Sequence, residues 1–154
     1  MLTKTIFLGA DHAGFALKEK IKKKLTQQKM AFIDLGNKKL KLRDDYPDYA
    51  ARVARKVARL KGIGILICGS GQGVCIVANK IKGIRAALAE HIKDAYLARK
   101  DDDCNILCLQ GRGTNATKAM RIVQTFLETN FSTIDRYNSR INKIKKLEKT
   151  QWPR

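Results

Sequence analysis

The sequence is short of acids, aromatics, proline and histidine. It carries 14 Asp and Glu against 32 Lys and Arg, for a net charge of +18, with 6% aromatic residues, two prolines and two histidines. Two histidines and four cysteines, the latter at 68, 75, 104 and 108, leave little to build a metal centre. Cys104 and Cys108 flank an expected strand and have no second pair at zinc spacing, so no metal is expected there. The cysteines fall in or beside apolar segments rather than loops, which argues against a secreted disulfide framework and suits reduced thiols. No apolar run reaches the length of a membrane span and no basic-then-apolar leader is present, so a soluble, cytoplasmic chain without membrane contact is expected. With no internal repeat and no long polar linker, residues 1–154 read as a single domain with one sizeable core. The surplus cations are spread over residues 18–24, 38–41, 52–61 and 143–149, with few aromatics between them and no nucleic-acid motif. They read as solvated helix faces, with no specific nucleic-acid partner, although an anionic substrate would profit from their field.

What is present centres on residues 62–85. Residues 63–67 form an apolar, β-branched run, the pattern of a strand covered on both faces in a parallel sheet. Cys68-Gly69-Ser70-Gly71-Gln72-Gly73 follows, and then, from Val74 to Lys80, the composition of a helix's opening turns. Alternate glycines let backbone N–H groups turn inward without a Cβ, and the helix dipole adds positive charge at the same place. Such a nest stabilises an oxyanion or a phosphate. It is neither a Walker A loop nor a Gly-x-Gly-x-x-Gly dinucleotide frame. Taken alone, a glycine-rich turn of this kind is equally a tight turn, and a cysteine is equally a small buried residue. A thiol against a helix N-terminus can instead serve as base or nucleophile.

Further strands are expected at residues 5–8, 31–35, 84–89 and 106–109. Helices are expected after Phe15, from Asp45 or Pro47, over 92–99, from Thr114 or Asn115 to about 128, and over 136–149. Strands alternating with helices through right-handed crossovers imply an α/β, doubly wound, Rossmann-like fold: a five-stranded parallel sheet flanked by helices, plus a C-terminal helix. Ligands of such sheets bind at the carboxyl ends of the strands. Asp11, His12, Tyr46, Cys68, the nest, Asp101, Asp102, Asp103 and Arg112 are expected along that edge. The narrow apolar stripe of the basic terminal helix suggests packing on a neighbouring subunit.

Four motifs, Gly9-Ala10-Asp11-His12-Ala13-Gly14-Phe15, Asp45-Tyr46-Pro47, Cys68-Gly69-Ser70-Gly71-Gln72-Gly73 and Ala78-Asn79-Lys80 with Gly83-Ile84-Arg85-Ala86, together resemble the type-B ribose-5-phosphate isomerases and their galactose-6-phosphate isomerase relatives. The likeness covers nearly the whole chain. It implies an aldose-ketose isomerase of the pentose phosphate pathway that interconverts ribose 5-phosphate and ribulose 5-phosphate through a cis-enediolate, without metal or cofactor. It also implies a homodimer, or a tetramer of paired dimers. By position, Cys68 is the base between C1 and C2; where some members use a Glu, this chain has Val74. The N–H groups of Gly69, Gly71 and Gly73 would hold the enediolate oxygen, Ser70 would contact a sugar hydroxyl, Asp11 and His12 would bind the ring oxygen or hydroxyls, and Tyr46 would line the sugar site. Arg112, with Arg136 and Arg140 from the partner subunit, would hold the phosphate. The family's ring-opening His and the Asn after it fall on Asp101 and Asp102, which makes Asp101 the candidate proton shuttle. His91 sits at the wrong end of the preceding helix, and Tyr137 stands where many relatives place a His. Those departures leave two alternatives: an isomerase of a galactose- or allose-type hexose 6-phosphate, or a catalytically impaired sugar-phosphate-binding paralogue.

Overall fold

A computed structural model describes residues 4–151. Five parallel strands, β1 (Ile6–Ala10), β2 (Phe32–Asp34), β3 (Ile63–Cys68), β4 (Ala86–Leu88) and β5 (Ile106–Gln110), form one sheet in the order β2-β1-β3-β5-β4. Between and after them lie α1 (Phe15–Gln27), α2 (Tyr46–Leu60), α3 (Gln72–Asn79), α4 (Ile92–Lys100), α5 (Ala116–Glu128) and α6 (Asp135–Gln151).

The central strands β1, β3 and β5 are buried along nearly their whole length, as expected of runs without polar alternation. On one face Ile6, Leu8, Ile65, Ile67, Leu107 and Leu109 pack with α1, α4 and α5. On the other face Phe7, Leu66, Cys68, Ile106 and Cys108 pack with α2 and α3. Asn115 caps α5 by accepting from the Thr117 and Lys118 N–H groups. Pro47 lies in the first turn of α2, where its missing N–H costs nothing.

The boundaries shift in instructive ways. β1 runs to Ala10 because Gly9 and Ala10 pair with Leu66 and Ile67. β4 shortens to Ala86–Leu88, since the Arg85 N–H is taken by the Asn105 side chain rather than by a strand neighbour. α3 begins at Gln72, two residues before the expected Val74, so Gly71 is its N-cap.

One buried cation organises the region before α2. Lys18, fully buried on α1, pairs with Asp34 at the end of β2 and donates to the Asn37 carbonyl at 2.8 Å. It thereby fixes the start of the segment joining β2 to α2. The remaining cations are mostly exposed on helix faces, as on α2 at Arg52, Arg55 and Arg59. Helix α6 joins neither core cluster. Its Glu148 accepts from the Gly83 N–H at 2.9 Å, while Ile144 and Leu147 remain 38% and 57% exposed.

Candidate active site

Cys68 ends β3 at the carboxyl edge, paired with Gln110 and 4% exposed. Its Sγ accepts the Gly71 N–H at 3.2 Å, which aims the sulfur into the turn that starts α3. Gly71 has φ +78°, and a Cβ there would meet the Leu109 carbonyl carbon at 2.9 Å and Leu88 Cδ1 at 2.5 Å. Leu88 can rotate away; the Leu109 backbone cannot. Gly71→Ala is therefore expected to lower stability by about 2–4 kcal/mol, left-handed strain plus overpacking, which a shift of the denaturant midpoint would measure.

The neighbouring glycines seat two site residues. A Cβ at Gly69 would lie 3.1 Å from Arg112 Cζ, and one at Gly73 would lie 2.6 Å from the Tyr46 ring. Bare backbone thus lets a guanidinium rest on one side of the nest and a phenol ring on the other. Arg112 is tied in by its N–H, which donates to the Gly69 carbonyl at 3.2 Å, while the Gly111 N–H donates to the Cys68 carbonyl at 2.8 Å. Ser70 is exposed, with its Oγ accepting the Gln72 N–H at 3.3 Å.

The β1 exit adds Asp11 and His12. The Asp11 N–H donates to the Ile67 carbonyl at 3.3 Å, next to Cys68, and its buried carboxylate accepts from the Gly14 N–H at 3.0 Å. His12 meets a residue that sequence reasoning passed over. Its N–H donates to Asp44 Oδ1 at 2.9 Å, and its Nδ1 lies 2.8 Å from the same oxygen. Burial pushes the Asp44 carboxyl up, but hydrogen bonds from the His12 N–H, the His12 ring and the Tyr49 hydroxyl outweigh it and hold the carboxyl below the ordinary Asp range.

Asp101 and Asp102 require a correction. They were expected beside Cys68, yet Asp101 closes α4 at the opposite edge of the sheet. Ile106 pairs with Gly64 and Gln110 with Cys68, so four residues of strand rise, about 13 Å, separate the start of β5 from the level of Cys68, and Asp101 lies further back. There the Asp102 carbonyl accepts from Arg85 Nε at 2.9 Å, and Asp103 pairs with Arg85 at 2.7 Å and Arg99 at 2.9 Å. The Ser132 N–H donates to the Lys100 carbonyl at 3.0 Å, bringing the start of α6 to the same end. Arg136 and Arg140, both exposed, lie over the Tyr137 ring at 5.2 and 5.8 Å from its centroid.

All four cysteines are free. A hydrogen bond from the Cys108 thiol lowers half-buried Cys75 to about 7, against the opposing effect of burial. Burial pushes Cys104 up to about 12. Among the described residues, no group of three or more His, Cys, Asp or Glu could hold a metal ion, and no helix is long and apolar enough to cross a membrane.

Comparison with known proteins gives this geometry its context. A protein of Mycoplasma genitalium named probable ribose-5-phosphate isomerase B is 44% identical over 146 residues, 94% of this chain and 95% of that protein. Ribose-5-phosphate isomerase B of Mycobacterium tuberculosis is 38% identical, over 94% of this chain and 90% of that one. The crystal structure of the Mycoplasma genitalium isomerase with bound ribulose-5-phosphate superposes with a TM-score of 0.92 at 42% identity, covering 97% of this chain and 99% of that one. The type B ribose 5-phosphate isomerase of Trypanosoma brucei gives 0.88 at 42% identity, over 94% and 99%. With residues 6–144 also matching the ribose/galactose isomerase family as a whole, the nest, its cysteine and the strands that carry them make this chain a member of that family.

Proposed function

We propose that the chain interconverts ribose 5-phosphate and ribulose 5-phosphate through a cis-enediolate, with Cys68 moving the proton between C2 and C1. The observation that carries this reading is the Cys68 sulfur held 3.2 Å from the Gly71 N–H, in a nest flanked by Arg112 and Tyr46. A base at that point faces donors that can take up the negative charge appearing on the sugar oxygen as the C–H bond breaks. Gly69, Gly71 and Gly73 supply those donors, Ser70, Asp11, His12 and Tyr46 hold the sugar, and Arg112 meets the phosphate. The relatives described above are named for ribose 5-phosphate, which favours a pentose over a hexose phosphate.

The site is completed by a second copy. Arg136 and Arg140 stand at the far edge with Asp101 and Asp102, so all four reach a Cys68 only from a partner subunit, and they arrive as one block. The exposed Ile134, Ile144 and Leu147, on and just before α6, offer apolar surface for that contact. Free thiols in all four positions fit a cytoplasmic enzyme.

The direct test is an aldose-to-ketose assay on ribose 5-phosphate, allose 6-phosphate and galactose 6-phosphate. The pentose is expected to be turned over with kcat/KM at least about tenfold above either hexose, since an added hydroxymethylene must be accommodated. No ketose from ribose 5-phosphate, or preference for a hexose, overturns the reading.

A further inference from the structure

The chain has two histidines. His91 is committed to capping α4, exchanging hydrogen bonds with Asp94, and its side chain is 70% exposed. His12 is placed quite differently. Asp44 Oδ1 accepts from both its backbone N–H and its ring across 32 residues of chain, and the Asp44 side chain is 2% exposed. Asp44 Oδ2 accepts from Asn37 Nδ2 at 2.8 Å, and Lys18 fixes Asn37 through its carbonyl. The carboxylate is thus held from four directions: the His12 backbone, the His12 ring, Asn37 and Tyr49.

An ionised carboxylate only accepts, so the proton shared with Asp44 belongs on Nδ1 of His12. A neutral ring with hydrogen on Nδ1 has a lone pair on Nε2, and the ring, 35% exposed, belongs to a residue two positions past Ala10, which pairs with Ile67, so His12 leaves the sheet at the same edge as Cys68. A buried carboxylate fixing the tautomer and orientation of a proton-transferring imidazole is the logic of the hydrolase triad.

We propose that His12, positioned by Asp44, opens the sugar ring before isomerisation. The inference rests on the isomerase reading and gives the proton transfer to a residue of the same chain and the same sheet edge as Cys68, where Asp101 is absent. Nε2 takes the proton of the hydroxyl on C1. The bond between C1 and the ring oxygen breaks with its electron pair going to that oxygen, and a C=O double bond forms at C1. The imidazolium, steadied by the Asp44 charge, then gives the same proton to the ring oxygen. Both oxygens are bonded to one carbon, so one nitrogen can serve each in turn, and no net proton is consumed.

Ring opening can be measured apart from isomerisation, as exchange between the α and β anomers of ribose 5-phosphate followed by NMR magnetisation transfer in the Cys68→Ala background. That variant is expected to accelerate anomer exchange. Adding His12→Ala should abolish the acceleration. Adding Asp44→Ala should reduce it at least about tenfold and shift the 15N resonances of His12 away from the Nδ1–H tautomer. Asp44→Asn is isosteric but replaces one acceptor oxygen by an N–H donor that faces either Asn37 or His12, so it should fold as the unaltered chain does yet lose the Nδ1–H tautomer signature and most of the acceleration, which separates positioning from misfolding. Unchanged exchange on adding either His12→Ala or Asp44→Ala, or no acceleration by Cys68→Ala itself, overturns the proposal. Acceleration lost in Cys68→Ala with Asp101→Asn but kept with His12→Ala overturns it in favour of Asp101 of a second copy. Failure of the unaltered chain to isomerise sinks the isomerase reading, whereas normal turnover with anomer exchange indifferent to His12 sinks the ring-opening proposal alone.

Discussion

Cys68→Ala is expected to abolish exchange of the C2 proton of ribose 5-phosphate with solvent and to lower kcat by about 10²–10⁴, the range a positioned base contributes. At about 1.4 kcal/mol per decade this is roughly 3–5 kcal/mol of barrier. Of the neighbouring groups, His12 is assigned to the two oxygens on C1 rather than to the hydrogen on C2. Ser70 carries an alcohol, whose oxygen accepts the Gln72 N–H, and Asp11, whose Oδ1 accepts the Gly14 N–H, is assigned to the sugar hydroxyls. Val74, at the position where some relatives carry a Glu, is fully buried. Removing one buried sulfur costs stability on the order of 1 kcal/mol, so the variant should fold and still bind substrate. Full C2 exchange in deuterated water by a folded Cys68→Ala protein would show that the sulfur is not the base.

The architecture was legible because each central strand is an apolar run that becomes a doubly covered strand, and because the residues after the glycine turn that ends β3 have the composition of a helix's opening turns. The error at Asp101 and Asp102 came from losing the chain's direction. In a parallel sheet, residues that follow a strand lie at the carboxyl edge, and residues that precede one have been carried back by the intervening helix. Cys68 and Gln110 belong to the first kind and Asp101 to the second. Asp44 was hidden for another reason. It sits in a polar segment before α2 with no periodicity, and its partner His12 is 32 residues away, so only the Lys18 and Asn37 anchors that fold the segment back reveal the pairing. Arg136 and Arg140 came from the family resemblance, since their spacing alone reads as a basic helix face, and the fold sets the start of their helix at the edge opposite the thiol of their own chain.

That geometry has a measurable consequence for mixed assemblies. If Arg136 and Arg140 hold the phosphate as proposed, Arg136→Ala with Arg140→Ala leaves the nest intact and should raise KM far more than it lowers kcat, by about a hundredfold or more if each charged hydrogen bond contributes 1.5–3 kcal/mol. Neither this double variant nor Cys68→Ala should show appreciable turnover at low substrate. Unfolded and refolded together in equal amounts, however, they should recover about a quarter of the activity of the unaltered chain. In a two-fold dimer the mutual contacts cross over: one site of the mixed dimer combines both defects, and the other combines the intact Cys68 of one chain with the intact arginines of its partner. Random pairing makes about half of the dimers mixed, each with one working site of two. If Cys68 and the arginines instead served the same chain, every site in every dimer would carry a lesion and no activity would return. The recovered fraction therefore measures directly whether the phosphate end of the site is donated by a second copy.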